Sequence, residues 1–152
     1  MKMLGTTLAL SVMAAAVCFA SPHMGTWKLN ETKSTLGPGM AKNNMVVYEA
    51  MGDDVKITVD GIGVDGKTTH NVWVGKFDGK DYPVTGSDAV GDARSYKTAD
   101  ANTLDMTIKN NGKVTGTGQI VMSADGKTRT VTLTRTDEQG KKISTTAVYD
   151  RL

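Results

Sequence analysis

Apolar and polar residues alternate with a period of two along most of this chain. Val55, Ile57 and Val59 fall on one side of a run whose other side is Lys56 and Thr58. Leu104, Met106 and Ile108 are set against Asp105, Thr107 and Lys109, and Val131 and Leu133 against Thr130, Thr132 and Thr134. Successive side chains of a strand point to opposite faces, so this pattern predicts half-buried antiparallel strands. No window from Ser21 onward carries a helical stripe. Ten strands are predicted, near residues 24–30, 44–51, 54–61, 67–77, 80–85, 93–98, 103–109, 113–123, 127–136 and 142–151.

Gly52-Asp53, Asp65-Gly66, Asp78-Gly79, Asn111-Gly112, Asp125-Gly126 and Gln139-Gly140 separate these runs. Asp-Gly and Asn-Gly supply positive φ at low cost and favour the tight turns whose twist matches paired strands. Strands spaced this way build a sandwich or a barrel. Consecutive hairpins make a meander, and an open meander leaves edges that recruit other chains. Closing about eight to ten strands gives an up-and-down barrel wide enough for one small ligand. A sandwich usually needs the longer connections of Greek-key crossings. Only one connection here is long, Glu31 to Asn43, and it falls where a barrel would carry a lid. The expected fold is all-β, an antiparallel up-and-down meander barrel of about 8–10 strands.

The N-terminus changes the picture of location. Lys2 precedes an uncharged stretch from Met3 to Phe19, and Cys18-Phe19-Ala20 places small residues at both positions that signal peptidase reads. This predicts a signal peptide over 1–20, a single β-barrel domain over 21–152, and a secreted or periplasmic protein. The apolar run is too short for a membrane span, which takes ~20 residues, so no stable membrane insertion is expected. Cys18 is the one cysteine, so export implies no disulfide framework here. The formal charge is +2 for the whole chain. Lys and Arg stand singly, which reads as a solvated surface with no nucleic-acid partner.

Candidate chemistry is sparse. His23 and His70 are far apart, His23 falling in an expected frayed terminus, and they make no zinc site. The single stretch Asp60-Gly-Ile-Gly-Val-Asp65-Gly66 is explained by a hairpin turn without calcium. Ser87 lacks a Gly-x-Ser-x-Gly elbow, and no nucleophile–base constellation is visible. Neither an enzyme nor a cofactor is expected.

The two ends of the chain carry a resemblance. Gly25-Thr26-Trp27-Lys28-Leu29-Asn30 opens the first strand, and Ala147-Val148-Tyr149-Asp150-Arg151 closes the last. This looks like the calycin superfamily, the lipocalins and fatty-acid-binding proteins. Met40 to Met45 and Asp54 to Val59 also resemble the second and third strands of fatty-acid-binding proteins. In style the chain is similar to uncharacterised secreted bacterial lipocalin-like proteins. The resemblance implies that Gly25, Trp27 and Arg151 form a structural signature, with the basic side chain packed across the indole at a closed end. The departures are local. The 31–43 segment is too short and too rich in Gly and Pro for the helix pair of fatty-acid-binding proteins. Tyr149 matches the tyrosine of their Arg-x-Tyr carboxylate clamp, but Ala147 stands at the arginine position, and a second interior arginine falls near apolar Val121.

The resulting expectation is a carrier of a small, apolar, lipid-like ligand, with Tyr149, Trp73, Phe77, Met106, Met122 and Tyr96 as ligand-contacting residues. With no cation at the matched positions, a neutral ligand is expected to bind better than a carboxylate, because an unpaired buried charge is costly. The alternative is a protein-interaction or inhibitor module with a packed barrel and functional rim loops. Interior volume separates the two: a ligand site of drug size takes ~300 Å³ or more.

Overall fold

The chain is described by a computed structural model covering residues 21–37, 40–87, 91–137 and 139–152. The expected signal peptide, 1–20, lies outside the described residues. The alternating runs form ten strands: β1 (Gly25–Leu29), β2 (Lys42–Met51), β3 (Asp54–Ile62), β4 (Thr68–Gly75), β5 (Tyr82–Gly86), β6 (Ala93–Asp100), β7 (Thr103–Asn110), β8 (Lys113–Met122), β9 (Thr128–Thr136) and β10 (Lys142–Arg151). Each pairs antiparallel with the next, and β10 returns to β1. The result is the closed up-and-down barrel expected from the pattern of turns. The only helical element among the described residues is a single 3₁₀ turn, Glu31–Lys33, capped by the Asn30 side chain.

The turns show why Asp-Gly-Lys recurs. In Asp65, Asp78 and Asp125 the carboxylate accepts a hydrogen bond from the backbone N–H two residues on, at 3.1, 3.0 and 3.0 Å. The following glycine takes the positive φ, for instance 68° at Gly126. These acidic side chains are turn formers. At Asn111-Gly112 both residues have positive φ, 50° and 76°, the combination a two-residue hairpin loop needs.

Period-two alternation puts every second residue inside. The core is Trp27 and Leu29 from β1, Val46 and Tyr48 from β2, Ile57 and Val59 from β3, Trp73 from β4, Tyr96 from β6, Leu104, Met106 and Ile108 from β7, Ile120 and Met122 from β8, and Tyr149 from β10. One end is sealed by large rings. Trp27 and Trp73 are fully buried, and Trp73 packs against Tyr96, Tyr82 and Phe77 with centroid separations of 4.8, 5.5 and 6.3 Å. The thinnest seam is β5–β6, with two register pairs, one of them Pro83, which has no N–H to give to a ladder.

Candidate ligand site in the barrel interior

The first and last strands meet at the sealed end, where Trp27 lies opposite Arg151 in the β1–β10 register. The Arg151 guanidinium sits 4.3 Å from the Trp27 ring centroid. Its three nitrogens also donate to the carbonyls of Gly126, Met24 and Pro22, each at 2.7 Å. Gly25 makes room for it. At φ 117° the backbone favours glycine, and a Cβ there would lie 2.9 Å from Arg151 Nη1. Gly25, Trp27 and Arg151 thus form one local unit, held by shape and by cation–π attraction.

His23 belongs to the same end, which corrects the expectation of a frayed terminus. It is 2% exposed, and its carbonyl accepts the Trp27 indole N–H at 3.0 Å. Neither imidazole nitrogen has a hydrogen-bond partner. Burial, then the nearby charges of Arg129 and Arg151, hold its pKa down at about 4. It is a neutral ring at physiological pH.

Above this seal lies a cavity of about 130 Å³. Its walls are Val46, Ile57, Val59, Ile108, Ile120 and Val131, with Ala147 and Tyr149 from β10. It extends toward the opposite end of the barrel, where Leu36, Met40, Asn43, Ser87 and Arg135 border it. Of the residues expected to contact a ligand, Tyr149, Tyr96 and Met106 border the cavity. Trp73, Phe77 and Met122 do not. Trp73 and Phe77 are committed to the aromatic seal, and Met122 is 4% exposed on β8, paired with Arg129.

Three arginines, Arg94, Arg129 and Arg135, border the cavity, and no carboxylate or histidine does among the described residues. This corrects the premise that the interior lacks a cation. The two positions matched to the carboxylate clamp are indeed apolar, but Val121 is 42% exposed on the outer face of β8, between inward Ile120 and Met122. The interior charge comes from β6 and β9 instead. The guanidinium of Arg129, 1% exposed, is surrounded by the rings of Tyr48, Trp27 and Tyr149 at 4.6, 4.9 and 5.1 Å. Its Nε and Nη1 have no hydrogen-bond partner. Arg94, 7% exposed, donates to the Asn71 side-chain oxygen at 3.1 Å. Burial pushes the phenols of Tyr48 and Tyr149 up to about 12, against the pull of Arg129, so both remain neutral.

The three interior arginines had a signal in the sequence, which marks Arg129 and Arg135 as the cations to line a cavity that prefers acids. Arg129 and Arg135 share the parity of Val131 and Leu133, and Arg94 shares that of Tyr96. Reading them as surface residues followed the general rarity of buried arginine, which the register overrides here.

No family model matches this chain, and no curated protein does. Among solved structures, that of EF1p2_mFAP2b bound to DFHBI aligns over 86% of this chain and 94% of that one, at 12% identity and a TM-score of 0.47.

Proposed function

We propose that this protein is an exported, calycin-like binding protein that holds one small organic molecule inside its barrel and performs no catalysis. The observation that supports this is the interior cavity: apolar walls, a few polar groups converging on it, and a position above a sealed aromatic floor. Its volume narrows the expectation of a lipid. At about 130 Å³ it is close to an engineered cavity of ~150 Å³ that takes benzene, and well below the ~300 Å³ of a drug-sized site. The ligand is therefore single-ring in scale, without a long acyl chain. The volume falls below the ~300 Å³ that separates a carrier from a packed-barrel interaction module, so volume alone does not favour the carrier; the polar and cationic side chains that border the space do.

The test is cavity filling. Ala147 borders the cavity from β10, so Ala147→Phe puts a ring where the ligand would sit. A panel of single-ring compounds is titrated into isotope-labelled protein. Wild type is expected to bind at least one with Kd below ~1 mM, within reach of the best per-atom efficiencies of tiny ligands. The shifts should centre on Val46, Ile57 and Ala147, and should vanish in the variant. Shifts confined to the outer surface, or unchanged binding by Ala147→Phe, would overturn the reading.

A further inference from the structure

We propose that the molecule held in the barrel is a small organic acid whose negative charge is seated on Arg129. This rests on the reading of the cavity as a binding site and adds the chemistry of what enters it.

A guanidinium cannot escape burial by losing its proton, as a histidine can. Arg129 is therefore a permanent cation at 1% exposure. Its neighbours do not neutralise it. Three ring faces within 5.1 Å supply quadrupole attraction and the Tyr48 hydroxyl accepts a hydrogen bond from the guanidinium, but the Nε and Nη1 N–H groups are left without partners and no neighbour carries a counter-charge. The other cations of the cavity compound the imbalance. Arg94 is engaged by Asn71, and Arg135 reaches Met40 Sδ at 3.9 Å, a weak acceptor. With three arginines and no carboxylate bordering the space, the potential inside is positive, and walls of low dielectric strengthen it.

An anion gains most where a buried donor lacks its counter-charge, through charge-assisted hydrogen bonds. A neutral ligand of the same shape can at most accept a hydrogen bond from the Arg129 N–H groups and brings no counter-charge. The preferred ligand is thus a monoanion on one ring or a short branched chain, with its carboxylate toward the floor at Arg129 and its apolar body between Ile57, Ile120 and Val131. The charge comes from β9, not from the position on β10 that Ala147 occupies.

The experiment compares benzoate, benzenesulfonate and neutral benzamide by calorimetry and by NMR at about pH 7. Both anions are expected to bind wild type at least tenfold more tightly than benzamide. In Arg129→Met that advantage should disappear, with the affinity of both anions falling to within about twofold of benzamide's for the same variant. If the variant fails to fold, the Arg129 Nε–H resonance of wild type decides. It should move downfield on titration with benzoate, by clearly more than with benzamide, because a charged acceptor bonds the N–H more strongly. Benzamide binding as tightly as benzoate would overturn the anion preference and leave the binding cavity standing. An undiminished preference in the variant, or an unmoved Nε–H at saturation, would overturn the assignment to Arg129. If none of the three compounds binds, the cavity reading falls, and this one with it.

Discussion

Protonation of His23 should cost the fold a measurable part of its stability. The ring is buried at the sealed end without a partner on either nitrogen. The charges that act on it are Arg129 on β9, Arg151 on β10 and Asp100 at the end of β6. The first two oppose a proton, as does burial itself, and Asp100 opposes them only in part. Its folded pKa is about 4 against an ordinary 6.5. The folded state therefore binds fewer protons than the unfolded state between these values. No penalty exists above pH 6.5; it grows as pH falls and is complete below about pH 4. At 1.36 kcal/mol per pKa unit, the ceiling is about 3 kcal/mol, of which about 2.5 is present near pH 4.5. Urea unfolding followed by tryptophan fluorescence, at about pH 7.5 and 4.5, measures it against His23→Phe, which keeps a ring and cannot take a proton. Carboxylates elsewhere titrate in both proteins and cancel. Wild type should lose about 2.5 kcal/mol more than the variant on acidification. A differential below ~0.5 kcal/mol would show that the ring hydrates or moves out on protonation, and the burial argument would fail.

Two further outcomes follow from the same end of the chain. Trp27→Ala removes a fully buried indole and should destabilise by ~3–5 kcal/mol, whereas Arg151→Ala, with an exposed side chain, should cost ~1–3 kcal/mol; urea midpoints of the double variant should show coupling of at least ~0.5 kcal/mol, and strict additivity would deny that the two side chains stabilise each other. For export, N-terminal sequencing of protein secreted by its host should read Ser21 first, and a chain retaining Met1 or beginning at acylated Cys18 would refute the signal-peptide reading.

The strands were legible because two independent signals agreed. Alternation such as Val55-Ile57-Val59 marked the faces, and Asp-Gly or Asn-Gly pairs marked the ends, so all ten strands fall within a few residues of their expected places. The site was only partly legible. Tyr149, expected from its match to the family's tyrosine, borders the cavity with Tyr96 and Met106, but the choice of Trp73 and Phe77 needed knowledge of which barrel end is sealed, and that depends on contacts between strands far apart in sequence. The position near Val121 illustrates how little tolerance a strand allows. A slip of one residue exchanges inside for outside, and inward Ile120 and Met122 flank it. His23 gave no signal at all, since two residues before the first strand are too few for a pattern. What holds it is a hydrogen bond from an indole four residues on to its carbonyl, and one from its own backbone N–H to Ser21 Oγ.

The seam between β1 and β10 has a consequence for the order of events in folding. Every other pairing in the barrel joins neighbours in sequence, so each hairpin can zip as soon as its two strands exist. Closure joins Trp27 to Arg151 and the Leu152 N–H to the Thr26 carbonyl, the strand pairing most distant in sequence. It is also a short seam, three register pairs against nine between β9 and β10. The rest of the barrel must therefore bring its two edges together before those few pairs can form. The Arg151 guanidinium, bonded to the carbonyls of Pro22 and Met24, acts as a latch: it fastens the segment before the first strand only after the last strand has been synthesised.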